Sequence, residues 1–521
     1  MQKSRTEYVA INTGANFAMQ MVSNLMKTIL KFVFIRTLGA QYMGASTIFS
    51  DVLTMLSLAE LGIGSVISFA LYKPMKVNDY NRIAGLMDFY KKAYRLVAAF
   101  VVVIGLMLLP FLPHIIKSAP DIKENLSLIY VLFIIDSACS YLLIYKSTLF
   151  SAGQKRYVIS TTSMAFSLAR TVVQCVLLLV FKNYILYLVV GILETLIRNL
   201  VISRMAERVY PKAFSAEATK LTKNETRSLL KDVYALSLYK VNTVILTSSD
   251  SIIMSALLPN GLSSVAYVGM YRTIIHMIDV LINQVYAALL PSVGHMAADA
   301  TPEKQHSVFK TLLFIAFWCN CFSTTSLFVL CSPFMQLVMG EQFVIAMSVL
   351  IALLVDSYMV SMMRTVSTFR NANGLFVQGK YRPVFTSVLD IGFSLLLIKP
   401  LGIFGVVVST SIARLLTTFW FEPMLVYKHV FKQPVWDYAK RYALYVLLTI
   451  GCCAVTYYLG MVIDTPYGIV DFIWKMLLCV VIPNGIVILI FRRTIEYKEF
   501  IGRIMSLFEK LIGALRRRAR A

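Results

Sequence analysis

The sequence predicts an all-α polytopic membrane protein with about 14 transmembrane helices, in two pseudo-symmetric six-helix lobes plus two extra C-terminal helices. Three observations carry this reading. The composition is 58% hydrophobic and 15% charged, with a mean hydropathy of +0.71, far from the balance of a soluble domain. Apolar runs of roughly 20 residues, the length that crosses a bilayer core, follow one another along the chain. Ionisable residues recur at helical spacing inside those runs, where a charge is costly unless it faces a protected polar space.

The runs fall at 9–37, 42–71, 95–116, 126–150, 158–181 and 184–205, then at 233–258, 264–290, 308–334, 343–369, 384–399 and 403–427, with two more at 443–463 and 472–491. The polar start, 1–6, leads into a long run without a small-residue cleavage pattern, so that run reads as a span rather than a signal peptide. The expected organisation is an N-lobe at 1–206, a cytoplasmic linker at 207–230, a C-lobe at 231–430, the last two spans within 431–493 and a tail at 494–521. Two pairs of short matches in the same order favour duplicated halves. Gly153-Gln-Lys-Arg-Tyr157 pairs with Gln378-Gly-Lys-Tyr-Arg382, and Glu194-Thr-Leu-Ile-Arg198 with Thr410-Ser-Ile-Ala-Arg414.

The net charge of +23 would suit nucleic acid in a soluble protein. Here its placement matters more. Lys and Arg cluster in alternate loops: 73–95, 155–156, 204–227, 370–382, 428–441 and the tail, while loops near Gln41, Asn260, Glu341 and Asp464 carry almost none. Lys117 and Lys123 are an exception. The positive-inside rule then places the basic loops and both termini in the cytoplasm, and nucleic-acid binding is unnecessary. In the tail, Phe500, Ile501, Ile504, Leu507, Phe508, Leu511, Ile512 and Leu515 recur at helical spacing before Arg516, Arg517, Arg518 and Arg520, the pattern of a helix anchored on anionic lipids. The 8 cysteines sit in apolar runs as packing residues, with no zinc pattern or disulfide framework.

Polar stripes mark the candidate site. Asn16, Gln20, Asn24, Lys27 and Lys31 share one face of the first span at 3.6 residues per turn. Lys240, Thr243, Thr247 and Asp250 repeat the idea in the seventh span, Arg272, His276, Asp279 and Asn283 in the eighth, and Ser357, Ser361, Arg364 and Thr368 in the tenth. Converging stripes of this kind would make a net-positive cavity suited to an anionic group such as a phosphate. The substrate-cavity candidates are Asn24, Lys27, Lys31, Arg170, Lys240, Arg272 and Arg364; those for Na⁺ or proton coupling are Asp250, His276, Asp279 and Glu60. The bland alternative is pairing, such as His276 with Asp279 or Arg272 with Asp250, or snorkelling at helix ends; one or the other suits Arg36, Lys146, Arg198 and Arg414, which lie close to expected ends. Arg170 sits mid-span without a carboxylate on its own helix, so it either lines the cavity or pairs with a neighbour such as Asp136. No Walker motif is present, and no catalytic or metal-binding constellation stands out.

Several segments resemble the Wzx-like polysaccharide transporters of the MOP superfamily: Phe34-Ile-Arg-Thr-Leu-Gly39, Ser57-Leu-Ala-Glu-Leu-Gly-Ile-Gly64, Ser68-Phe-Ala-Leu-Tyr-Lys-Pro74 and Tyr90-Lys-Lys-Ala-Tyr-Arg95. Ser151-Ala-Gly-Gln-Lys155, Phe369-Arg-Asn-Ala-Asn-Gly374 and Leu401-Gly-Ile-Phe-Gly-Val406 add weaker likeness, and the whole extends over about the first 430 residues. The resemblance implies a flippase of the bacterial cytoplasmic membrane. It would carry an undecaprenyl-pyrophosphate-linked oligosaccharide to the outer leaflet for capsule or exopolysaccharide assembly, beside a polysaccharide polymerase and glycosyltransferases. Lys31 falls where that subgroup often has a basic residue, and Glu60 lies in the shared Ala-Glu-Leu-Gly segment. Two other readings stand beside it: an ion-coupled exporter of organic cations on the same fold, which would want an acidic, aromatic cavity, and a non-transporting scaffold of a glycan-synthesis complex, which would not need polar stripes inside its helices.

Overall fold

The computed structural model describes residues 5–60, 62–116, 122–153, 155–219, 221–375, 377–379, 381–462 and 468–502; for 5–19, 58, 59, 232, 235, 236, 238–240, 242, 243, 284–299 and 377 the description is of the backbone alone. The helices are α1 (Arg5–Leu38), α2 (Ala40–Leu56), α3 (Ile63–Val77), α4 (Tyr80–Met107), α5 (Leu112–Ile115), α6 (Leu126–Tyr141), α7 (Thr148–Ala152), α8 (Arg156–Phe181) and α9 (Tyr184–Val209). They continue with α10 (Pro211–Ser215), α11 (Lys223–Leu257), α12 (Gly261–Asp299), α13 (Pro302–Met339), α14 (Met347–Ala372), α15 (Arg382–Val426), α16 (Trp436–Val462) and α17 (Gly468–Phe491). No strand occurs among the described residues. The chain is a polytopic all-α membrane protein.

Nine helical segments are long and apolar enough to span a bilayer among the described residues, or ten if α4 and the segment after its 40° bend count as one. That bend falls where Pro110 and Pro113 enter, each lacking the N–H that a helix interior needs. The difference from about 14 has a physical origin. α15 is continuous by hydrogen bonding but breaks at Gly402 (φ 57°, ψ −134°) into 382–401 and 403–426. α1 and α11 carry lysines and amides that lower their hydropathy, and the second expected span is split into α2 and α3.

Two expected spans are interrupted. Between α2 and α3 a 3-10 turn, Ser57–Glu60, leads to Gly62 at φ 101°, where a side chain would be strained. The fourth span stops after α6, and Leu143 takes φ 66° before α7 begins, a conformation that costs a non-glycine residue about 1–2 kcal/mol. Asn199 of α9 offsets that cost. Its Nδ2 donates to the carbonyls of Cys139, Ser140 and Leu142 at 3.2–3.3 Å, so the acceptors freed by the break do not meet hydrocarbon unpaired.

The helices form two compact units, Met1–Met270 with Ser387–Val406, and Tyr271–Thr386 with Val407–Ala521. In the first, Phe34 meets Tyr184 and Tyr187 edge-on, and Phe49 packs on Tyr130. The segment before α11 is held to α4, since Thr219 donates its N–H to the Asn81 carbonyl and Arg82 pairs with Glu225 at 2.5 Å. In the second unit an aromatic core joins α13, α14, α16 and α17, with Phe317 stacked on Tyr445 at 4.1 Å. The described part of the tail, up to 502, docks on this unit: Tyr497 stacks on Trp318, Glu496 pairs with Arg441 at 2.8 Å, and Glu499 accepts from Thr311 at 2.8 Å. The basic cluster at 516–520 lies outside the described residues.

Candidate functional site

A cavity of about 300 Å³ lies inside the first unit, lined by Lys31 of α1, Ser50 and Asp51 of α2, Asp136 of α6, Arg170 of α8 and Tyr187 of α9. The lining is drawn from five helices of the first unit. The two cations share it with two carboxylates. Asp51 also accepts from Ser248 of α11 at 3.3 Å, whereas Asp136 Oδ1 is buried without a hydrogen-bond partner among the described residues.

Arg170 is fixed by a network. Its Nε donates to Gln174 Oε1 at 3.2 Å and its NH1 to Glu194 at 3.4 Å, while Gln174 Nε2 donates to the Tyr187 carbonyl at 2.9 Å. Glu194 also takes Arg198 at 3.1 Å, one turn along α9. Glu194 thus holds two guanidiniums, and with Lys31, Asp51 and Asp136 counted the cations and carboxylates around the cavity balance. Gly191 leaves room for the guanidinium where it lies, since a Cβ there would sit 2.8 Å from Arg170 NH2 and displace it. Arg170 thus lines this cavity with Asp136 and pairs with Glu194 rather than with Asp136.

Of the other expected cavity residues, Lys27 is exposed and does not line this space, and Asn24 accepts from Gln20 at 3.2 Å on the same helix face. The side chain of Lys240 lies outside the described residues. Asp250 is fully buried on α11, beside Ser249, whose hydroxyl donates to the equally buried Asp390 at 3.5 Å. Glu60 accepts from the Tyr94 hydroxyl.

The second unit has its own polar cluster. Arg364 of α14 holds Asp279 of α12 through NH2 at 3.4 Å and donates to the Asp279 carbonyl at 3.2 Å, with Ser357 donating to the carboxylate at 3.5 Å. Arg414 pairs with Asp356 at 2.8 Å. Arg364 and Arg414 line one small cavity of about 210 Å³. His276, one turn before Asp279, is exposed, and Arg272 is half-buried on the same helix. The residues expected as end anchors are paired where partners are described: Arg198 with Glu194, Arg414 with Asp356, and the buried Lys146 with Glu207.

Sequence reasoning missed the part played by Glu194, although its spacing of four from Arg198 was visible. It also missed Glu422, which is buried between Arg370 and Arg382. Those three are 40 and 52 residues apart, beyond any helical periodicity.

No protein-family model matches the chain, and no curated protein matches it in sequence. Solved structures do match. The lipid II flippase MurJ, in an inward closed conformation, is similar over 92% of this chain and 100% of its own, with a TM-score of 0.68 and 13% identity. The Vibrio cholerae MATE transporter VcmN is similar over 83% and 100%, with a TM-score of 0.54 and 12% identity. An outward-facing multidrug resistance MATE family transporter of the MOP superfamily is similar over 80% and 95%, at 0.50 and 13%. The chain has the fold of these transporters.

Proposed function

We propose that this protein is a flippase that carries a polyprenyl-diphosphate-linked oligosaccharide across the bacterial cytoplasmic membrane for capsule or exopolysaccharide assembly. The observation that supports it most is the cavity in which Lys31 and Arg170 meet, inside a fold shared with a lipid-linked flippase. The diphosphate would take the guanidinium and ammonium, which bind phosphate as a planar fork and a point charge respectively. The oligosaccharide would use the surrounding hydroxyls and amides, and the polyprenyl chain would remain in lipid. Arg272, Arg364 and Lys240 are the further cationic positions proposed to meet the headgroup. Asp250, with Asp390 beside its neighbour Ser249, is the first candidate for coupling to Na⁺ or protons, ahead of Asp279, His276 and Glu60. The basic loops and termini face the cytoplasm in this reading, the residues beyond 502 rest on anionic lipid, and a polymerase and glycosyltransferases work alongside.

Depleting the protein should trap lipid-linked repeat units in the inner leaflet, and Lys31→Ala and Arg170→Ala should each stop export while leaving the protein abundant. Normal outer-leaflet appearance of the units after depletion would refute the proposal. One observation favours a second reading, an organic-cation exporter: the cavity also holds Asp51 and Asp136, one with a buried orphan oxygen. Expression-dependent efflux of a lipophilic cation, lost in Asp136→Asn, would favour that reading over the first.

A further inference from the structure

A second polar cavity, of about 580 Å³, lies in the first unit and shares no lining residue with the cavity of Lys31. Its walls come from the two interrupted spans. Glu60 stands in the turn before α3, Ser65, Ser68, Phe69 and Tyr72 follow on α3, Thr148 and Ser151 belong to α7, and Arg156 opens α8. Both spans stop and restart beside this space, so hydroxyls border it where continuous helices would present apolar faces. Arg156 is exposed and its side chain has no ion-pair or hydrogen-bond partner among the described residues; the hydroxyls of the exposed Ser65 and the half-buried Ser68 and Ser151 likewise have none there. Phe69 and Tyr72 meet edge-on at 5.4 Å, with 77% and 45% of their surfaces exposed.

The lining has the chemistry of a phosphorylated saccharide. A guanidinium without a carboxylate partner suits phosphate oxygens, which it contacts in bidentate fashion. A carboxylate and several hydroxyls suit sugar hydroxyls, and exposed rings offer an apolar face to the C–H side of a pyranose. The volume falls within the roughly 300–1,000 Å³ usual for small-molecule sites. In the orientation set by the basic loops, Arg156 lies at the cytoplasmic end of α8.

We propose that this cavity is a cytoplasmic loading site for the glycosyl-phosphate headgroup, occupied before the substrate reaches Lys31 and Arg170. Arg156 takes the phosphate, Ser65, Ser68, Ser151 and Glu60 take sugar hydroxyls, and Phe69 and Tyr72 flank the ring. The assignment rests on the flippase reading. It commits to a chemical class, a sugar phosphate, that a lipid-linked headgroup and a free sugar phosphate share.

The test uses the full chain in inside-out vesicles with Ser68→Cys labelled by a membrane-impermeant maleimide, and Ser151→Cys as a second reporter. The probes are a polyprenyl-diphosphoryl disaccharide, the same disaccharide as its free 1-phosphate, and inorganic diphosphate. The first two should slow labelling, also in a Lys31→Ala background. Arg156→Gln should raise the half-protecting concentration by about tenfold or more, as loss of a charge-assisted phosphate contact implies. No slowing by either saccharide, or slowing unaffected by Arg156→Gln, would overturn the proposal. Protection by the lipid-linked probe alone would overturn the headgroup assignment, and equal protection by inorganic diphosphate would overturn the saccharide part. Vesicles that translocate the lipid-linked probe without protecting either reporter sink the loading site alone. Vesicles that show protection but never translocate sink the flippase reading alone.

Discussion

Glu194→Gln removes the carboxylate that holds two guanidiniums beside the Lys31 cavity. The Glu194 side chain is 6% exposed, with Arg170 at 3.4 Å and Arg198 at 3.1 Å. Taking one partner from a buried ion pair costs about 3–5 kcal/mol, mainly because the charge left behind is uncompensated. Two charges are left here, but their side chains keep 32% and 26% exposure, and Gln174 continues to accept from Arg170 at 3.2 Å. Neither guanidinium is fully buried and one keeps a neutral acceptor, so the expected destabilisation lies at the low end, about 3 kcal/mol. Equilibrium unfolding of the full chain in a denaturing detergent series can be followed with a thiol-reactive dye, because Cys321, Cys331, Cys452 and Cys479 are buried and free. Combining Glu194→Gln with Arg198→Gln should show a coupling of about 1 kcal/mol or more. A single variant within about 0.5 kcal/mol of the parent, the range of an ordinary surface change, would refute the reasoning.

Other perturbations follow from the same geometry. Gly191→Val should drive Arg170 from its seat and cut export at least tenfold with normal protein abundance; unchanged export would show that the guanidinium position is immaterial. Asn199→Leu leaves the carbonyls at the break after α6 without their donor and should cost about 1–3 kcal/mol in the same unfolding assay, whereas a neutral effect would mean that they find other donors. Outside the membrane, Arg82 and then Thr222 hold the Glu225 carboxyl down to about 2 from the usual 4.5. A depressed folded-state value gives stability that is present above pH 4.5 and lost as pH falls towards 2. The stability gap between the parent and Glu225→Gln should therefore be constant at neutral pH and narrow across that window; a gap that stays the same there would contradict the assignment.

The legible parts of the molecule are those governed by local periodicity. Helices such as α8, α9, α16 and α17 follow their apolar runs closely, and the spacing that singled out Lys31, with the isolation of Arg170 in mid-span, led to one cavity. The breaks were harder to read. Leu143 lies in an unbroken apolar run, and its left-handed backbone depends on Asn199, some 60 residues away. Gly62 and Gly64 hinted at the other break, but glycines are common in membrane helices that continue unbroken. Local spacing reaches partners one helix turn apart, as Glu194 and Arg198 are, and does not reach those on other helices. For Lys146 the position near a span end admits snorkelling or pairing, and spacing alone does not name its partner, Glu207, 61 residues distant. The amphipathic pattern of the tail, from Phe500 to Leu515, lies mostly outside the described residues, whereas Tyr497 and Glu499, just ahead of it, contact the protein.

The proposed role of the Lys31 and Arg170 cavity is translocation of a lipid-linked, phosphorylated glycan. Its most direct measurement is in proteoliposomes containing the purified full chain and a fluorescent polyprenyl-diphosphoryl oligosaccharide, scored by access of an external glycosidase with Na⁺, proton or no gradient imposed. The parent protein should bring the protected half of the substrate to the glycosidase under at least one of these conditions, and Lys31→Ala with Arg170→Ala should leave it protected. Protection that persists with the parent protein under all three conditions, or translocation that survives the double change, would contradict that role.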